Sequence, residues 1–151
     1  MILSGLLWLG ALPGFSAVFS GKPPANLGVT NQQLAPCSDS PNCVSTQTPE
    51  GDNLHHIDPI AYNGDREAAK VLLTKILGGV PGTEIVASTD DYLWAAAKSK
   101  LMGFVDDVEF YFPATSNQVE MRSASRLGES DLGVNRRRLE QIRLAFQDLS
   151  Q

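Results

Sequence analysis

The sequence is short of the residues that most often announce chemistry. Histidine and cysteine occur twice each, as His55, His56, Cys37 and Cys43. A serine nucleophile would need a base within hydrogen-bond reach. His55 and His56 are adjacent, so on a strand they face opposite ways and read as ordinary strand residues. The cysteines sit further apart than the two to four or so residues usual between zinc ligands. In an exported protein they would instead close a small disulfide loop, with Pro41 helping to turn it. A basic excess is also lacking. The net charge is −5 and the pI near 4.9, which argues against a general nucleic-acid binder. Repeats and low-complexity tracts are absent.

Charge is missing altogether from residues 1–20, "MILSGLLWLGALPGFSAVFS". That run reads as a signal peptide ending near Val18 and Ser20, or as a membrane anchor, since about 20 apolar residues can span a bilayer. No basic residue precedes it; the first is Lys22. The expected location is extracytoplasmic or membrane-anchored. Residues 21–53 are rich in Pro, Asn, Ser and Gln and read as an irregular linker. Residues 54–151 are expected to form one α+β domain of ordinary size.

Within that domain, "LHHIDPIAY" predicts an edge strand, because Pro59 cannot donate to a ladder. "GDREAAKVLLTKILGG" predicts a helix capped by Asp65, with Ala69, Leu72, Leu73, Ile76 and Leu77 as its apolar stripe. Four strands follow, at "TEIVASTDD" and at about residues 92–101, 104–112 and 118–126. The last helix carries Leu139, Ile142, Phe146 and Leu149. The expected architecture is strand, helix, four strands, helix. It amounts to an antiparallel sheet of about five strands with two helices on one face.

What the sequence does have is concentrated. "RSASRLGESDLGVNRRRLEQI" holds five arginines and no lysine. Alternation places Lys98, Lys100, Asp107, Glu109, Arg122 and Arg126 on the outer face, expected as solvated ion pairs each worth about 1 kcal/mol or less. Asp106, Ser123, Ser125 and Ser99 fall on the apolar face, where a carboxylate needs hydrogen bonds or a cation. Removing Asp106 should then cost about 3–5 kcal/mol, and removing Asp107 about 1 or less. Arg136, Arg137 and Arg138 occupy the first turn of the last helix if Asn135 caps it. There they oppose the helix dipole by about 0.3–1 kcal/mol each. Compensation would come from Asp131, Glu129 and Asp106, or from a bound anion.

Three stretches, "APCSDSPNCVSTQ", "GFVDDVEFYF" and the arginine-rich segment, together resemble the family called domain of unknown function 1499. The resemblance runs from about Leu27 to Phe146. It rests on Cys37, Pro41, Asn42, Cys43, Asp106, Asp107, Glu109, Arg122, Ser123, Ser125, Arg126, Gly128, Asp131, Gly133, Asn135 and Arg136. The family occurs in bacteria, especially cyanobacteria, and in plastids, and the resemblance implies no established activity. The "NLGV" lead-in implies thylakoid lumen or periplasm.

The function expected is a non-catalytic accessory domain that binds a small anion, a lipid headgroup or a protein partner, and no nucleic acid. Its candidate ligand residues are Asp106, Arg122, Ser123, Ser125, Arg126, Asp131, Asn135 and Arg136. No residue is assigned to catalysis, a metal or a cofactor. Two alternatives stand beside it: a metal-assisted hydrolase using the "DDVE" carboxylates, and a purely structural scaffold.

Overall fold

Asp65 opens the first helix by accepting the Ala68 N–H at 3.2 Å, as expected of an N-cap. In the computed structural model, which describes residues 20–100 and 102–151, helix α1 is Arg66–Gly79. The strands are β1 (Cys43–Ser45), β2 (Ile60–Ala61), β3 (Thr83–Ser88), β4 (Tyr92–Lys98), β5 (Val105–Tyr111) and β6 (Gln118–Ser125), and helix α2 is Val134–Leu149. The domain is therefore α+β, with an antiparallel sheet in the order β1-β6-β5-β4-β3 and β2 also pairing with β6.

The main core gathers residues of the sheet and of both helices. Leu93, Ala95, Val108, Phe110 and Met121 cluster with Leu73 and Leu77 of α1 and with Leu139, Ile142 and Phe146 of α2. Burying such a side chain stabilises by about 1.5–3 kcal/mol, so this cluster fixes the sheet on which every polar residue below is mounted. Leu149 is 61% exposed and does not join it. The helix ends there.

Two expectations are corrected at the N-terminal side. Residues 21–53 are not an irregular linker throughout. Cys43–Ser45 pairs with β6, and Leu34, Val44, Ser45 and Thr46 are buried. The cysteine sulfurs are bonded to each other, which ties residue 37 to this edge strand. Second, "LHHIDPIAY" is a strand only at Ile60–Ala61. Asp52 accepts the backbone N–H groups of Leu54, His55 and His56, folding that stretch into a turn.

The largest difference lies on the sheet's second face. Residues 21–36 run across it as a strap. Its backbone reverses at Asn31 and Gln32, both at positive φ, through paired bonds between Thr30 and Gln33 of 2.9 and 3.0 Å. Leu34 then packs on Tyr92 and Tyr111, with Val29 and Trp94 beside them. Every residue of β5 is consequently buried. Asp107 is 1% exposed and Glu109 0%, so the face expected to be solvated is an interior layer. The apolar run at residues 1–20 falls, except for Ser20, outside the described residues. Among the described residues no helix is long and apolar enough to cross a membrane.

Candidate functional site

Alternation along β5 and β6 divides the charged residues into two sets, one on each face of the sheet. The first set faces α2. Asp106 pairs with Arg138 at 2.7 Å, and both side chains are buried or nearly so. Arg138 also donates to Asn135 Oδ1 at 2.9 Å and to Ser123 Oγ at 3.3 Å. Asn135, fully buried, donates from its amide to Ser125 Oγ, Asp131 Oδ2 and the Asn42 carbonyl at 2.9, 2.8 and 3.1 Å. Ser123 Oγ donates to Asn135 Oδ1. Each member of this set is engaged by protein.

The cap of α2 is Gly133, not Asn135. Gly133 sits at φ 77, where a side chain would be strained. The anionic cap comes from Asp131, which accepts the N–H groups of Gly133 and Asn135 at 2.9 and 2.8 Å. Burial works to raise the Asp131 pKa, but those hydrogen bonds outweigh it and hold the carboxyl below its ordinary value. Three arginines in the first turn are tolerated because each reaches an acceptor. Arg136 donates to the carbonyls of His56 and Leu54 at 2.7 and 2.9 Å, Arg137 to Leu132 at 2.8 Å, and Arg138 to Asp106. The cluster at the start of α2 is a lock between helix, sheet and the turn after residue 52.

The second set lies beneath the strap. Arg126 grips Asp107 with two bonds, at 2.9 and 2.8 Å, and Trp94 Nε1 donates to the same carboxylate at 2.9 Å. Glu109 accepts from Arg122 at 3.2 Å, from the Tyr92 hydroxyl at 2.8 Å and from the Gly28 N–H at 2.8 Å. Burial, and next the Glu109 charge, push the Tyr92 hydroxyl pKa far up, so it stays a neutral donor. Register explains these pairs: Glu109 lies directly opposite Arg122, and Asp107 opposite Ala124, two residues before Arg126.

One guanidinium in this layer is incompletely satisfied. Arg122 is 6% exposed, and its Nε is buried without a partner. It lines a polar cavity of about 330 Å³, bounded by Lys22 and Asn26 of the strap, Ser38 and Ser40 of the disulfide loop, Asn42, and Asp107, Ser125 and Arg126 of the sheet. Lys22, Arg122 and Arg126 set three positive charges against the two carboxylates of Asp107 and Glu109, leaving an excess of one. A larger groove of about 430 Å³ lies between the helices, lined mainly by carbon and by few polar groups. Convergent donors distinguish the smaller cavity.

The structure thus separates the expected candidates. Arg122 and Arg126 meet at the cavity, while Ser125 lines it but accepts from Asn135 of the lock. Asp106, Ser123, Asp131, Asn135 and Arg136 belong to the lock. Lys22, Asn42, Glu109 and Arg138 are additions. Arg138 was legible as an inward helix position, one turn before Ile142. Lys22 carried no local signal, because only tertiary structure brings it to the sheet.

The "DDVE" carboxylates do not converge. Asp106 faces α2 while Asp107 and Glu109 face the strap, each on its own arginine. Among the described residues no group of three His, Cys, Asp or Glu side chains is placed to hold a metal ion. The histidines are engaged elsewhere. His56 Nδ1 meets the Thr48 carbonyl at 2.7 Å. His55 places its two ring nitrogens on Asp52 and on the Ser40 carbonyl, at 2.7 and 3.1 Å.

Both His55 partners are acceptors, so the imidazolium satisfies both. The Asp52 hydrogen bond, first of all, raises the His55 pKa above 6.5, and the same bond lowers that of Asp52 below 3.8. The pair's stabilisation is complete above pH 3.8 and below pH 6.5. It is lost as pH rises through the His55 value, or falls through that of Asp52. The melting-temperature difference between the native chain and His55→Gln should therefore be greatest near about pH 5 and shrink above neutrality. A difference independent of pH would contradict this.

The described residues build an α+β domain with a strap over a buried ionic layer and a polar cavity between the two. Residues 33–146 match the family model described as "Protein of unknown function (DUF1499)", and the chain belongs to that family. No curated protein and no solved structure matches it.

Proposed function

We propose that this chain is a non-catalytic accessory domain that binds a small anion in the cavity between strap and sheet, and that it works outside the cytoplasm or at a membrane. The observation that carries the reading is Arg122. Its guanidinium is buried, has one nitrogen without a partner, and lines a cavity with a surplus of positive charge. A buried donor left unmade costs about 1–3 kcal/mol, and an oxyanion supplies the acceptor. Guanidinium forks favour phosphate or carboxylate geometry. Ser38, Ser40, Ser125, Asn26 and Asn42 line the same space. The disulfide and the apolar segment at residues 1–20 support the location.

Calorimetric titration of the intact chain with inorganic phosphate, sulfate and a dicarboxylate tests the reading. At least one should bind. Lys22→Met alters an exposed side chain and should weaken that binding several-fold without changing the melt. Arg122→Gln should weaken it by about tenfold or more, since charge-assisted bonds are worth about 1.5–3 kcal/mol. No heat with any anion, or unchanged affinity in Lys22→Met and Arg122→Gln alike, would overturn it.

A further inference from the structure

At the end of the sheet where β5 begins and β6 finishes, four apolar side chains stand in solvent. Leu132 is 84% exposed, Met102 48%, Leu127 40% and Val134 39%. Scattered exposed apolar residues are ordinary; these four are grouped. Leu127, Leu132 and Val134 rim one cavity of about 260 Å³, together with Phe104 and Ser99. Met102 sits in the turn that Ser99 and Phe104 close, through a 2.8 Å bond from the Ser99 N–H to the Phe104 carbonyl. The carboxylates at this cavity, Asp106 and Asp131, are turned onto Arg138 and onto the N–H groups of α2. Its rim is mostly carbon.

Two further observations say what covers this end. The chain enters the domain here. A Cβ built on Gly21 would lie 3.1 Å from Leu127 Cγ, so the uncharged residues 1–20 attach beside the patch. A run of that length and composition is matched to a bilayer. Cations also flank the patch: Lys98 and Lys100 are exposed at the end of β4, and Arg137 beside Val134. Glu129 is the one exposed carboxylate on the Leu127–Leu132 loop. Apolar tips surrounded by lysine and arginine suit insertion between anionic headgroups.

We propose that the end of the domain bearing Met102, Leu127, Leu132 and Val134 is a membrane-docking surface that seats on a lipid bilayer, inserting these side chains among the acyl-chain ends. The inference stands apart from the anion cavity, although Ser125 and Gly128 border both spaces. Docking this end would present the mouth of that cavity close to the headgroups.

The native cysteines are bonded to each other, so a single added thiol can be labelled selectively. The test compares Leu132→Cys with Thr115→Cys in the intact chain. Each carries an environment-sensitive fluorophore and meets mixed phosphatidylcholine–phosphatidylglycerol vesicles. Thr115 is exposed in the β5–β6 turn, at the opposite end of that hairpin from Leu127. The Leu132 label should shift to the blue and be quenched by nitroxide-bearing lipids, while the Thr115 label changes in neither respect. Three results would overturn the proposal. One is no change at either label, and another is equal change at both. The third is a Leu132 label already blue-shifted without vesicles and unaltered by them, which would give the patch to a segment of this chain.

Discussion

Glu109→Ala is expected to destabilise the domain by about 3–5 kcal/mol, the cost of removing one partner from a buried charged pair. Three donors lose their acceptor at once: the Arg122 guanidinium, the Tyr92 hydroxyl and the Gly28 N–H. Of a total stability that is typically about 5–15 kcal/mol, this is a large share. The loss should be visible in a urea melt. Hydrogen exchange should show it locally, with the Gly28 amide losing protection before the core amides of β5. A Glu109→Ala chain that melts normally would mean that the strap does not cover this face.

Asp106→Ala and Asp107→Ala form the second expected result. Each should cost about 3–5 kcal/mol. Alternation alone separates them, assigning Asp106 to an interior lock and Asp107 to a solvated surface. Asp107 is in fact 1% exposed and bound by Arg126 and Trp94. Asp106 holds Arg138. Thermal melts of the two variants side by side should show similar, large losses. A loss of about 1 kcal/mol or less for Asp107→Ala alone would restore the solvated face.

Periodicity reads a face correctly without saying what lies over it. That is why strands β3 to β6 and both helices were legible, while the burial of Asp107 and Glu109 was not. A weak signal was present. Tyr111 shares a face with Asp107 and Glu109, and Trp94 lies opposite Glu109 in register. A solvated face rarely carries two large aromatics. The strap itself has no period, because it is held by side chains and a two-residue reversal, not by a ladder. The short strand at Cys43–Ser45 escaped for a related reason: three residues are too few to show alternation.

The arginine-rich segment resolves into two jobs. Its later members, Arg136 to Arg138, seat α2 on the sheet and the turn. Their charge is answered by Asp106, by main-chain carbonyls and by the anionic cap at Asp131. The earlier pair, Arg122 and Arg126, lies under the strap, and only Arg122 retains a nitrogen without a partner. The sequence pattern sets the strand pair apart from the helix trio; burial and partner geometry show what each holds.

The most direct measurement is crystallographic. Crystals of the intact chain soaked in selenate should show an anomalous peak in the cavity bounded by Lys22, Arg122 and Arg126, within hydrogen-bond distance of the Arg122 guanidinium. An empty cavity, with selenate bound only at other surface cations, would contradict the account.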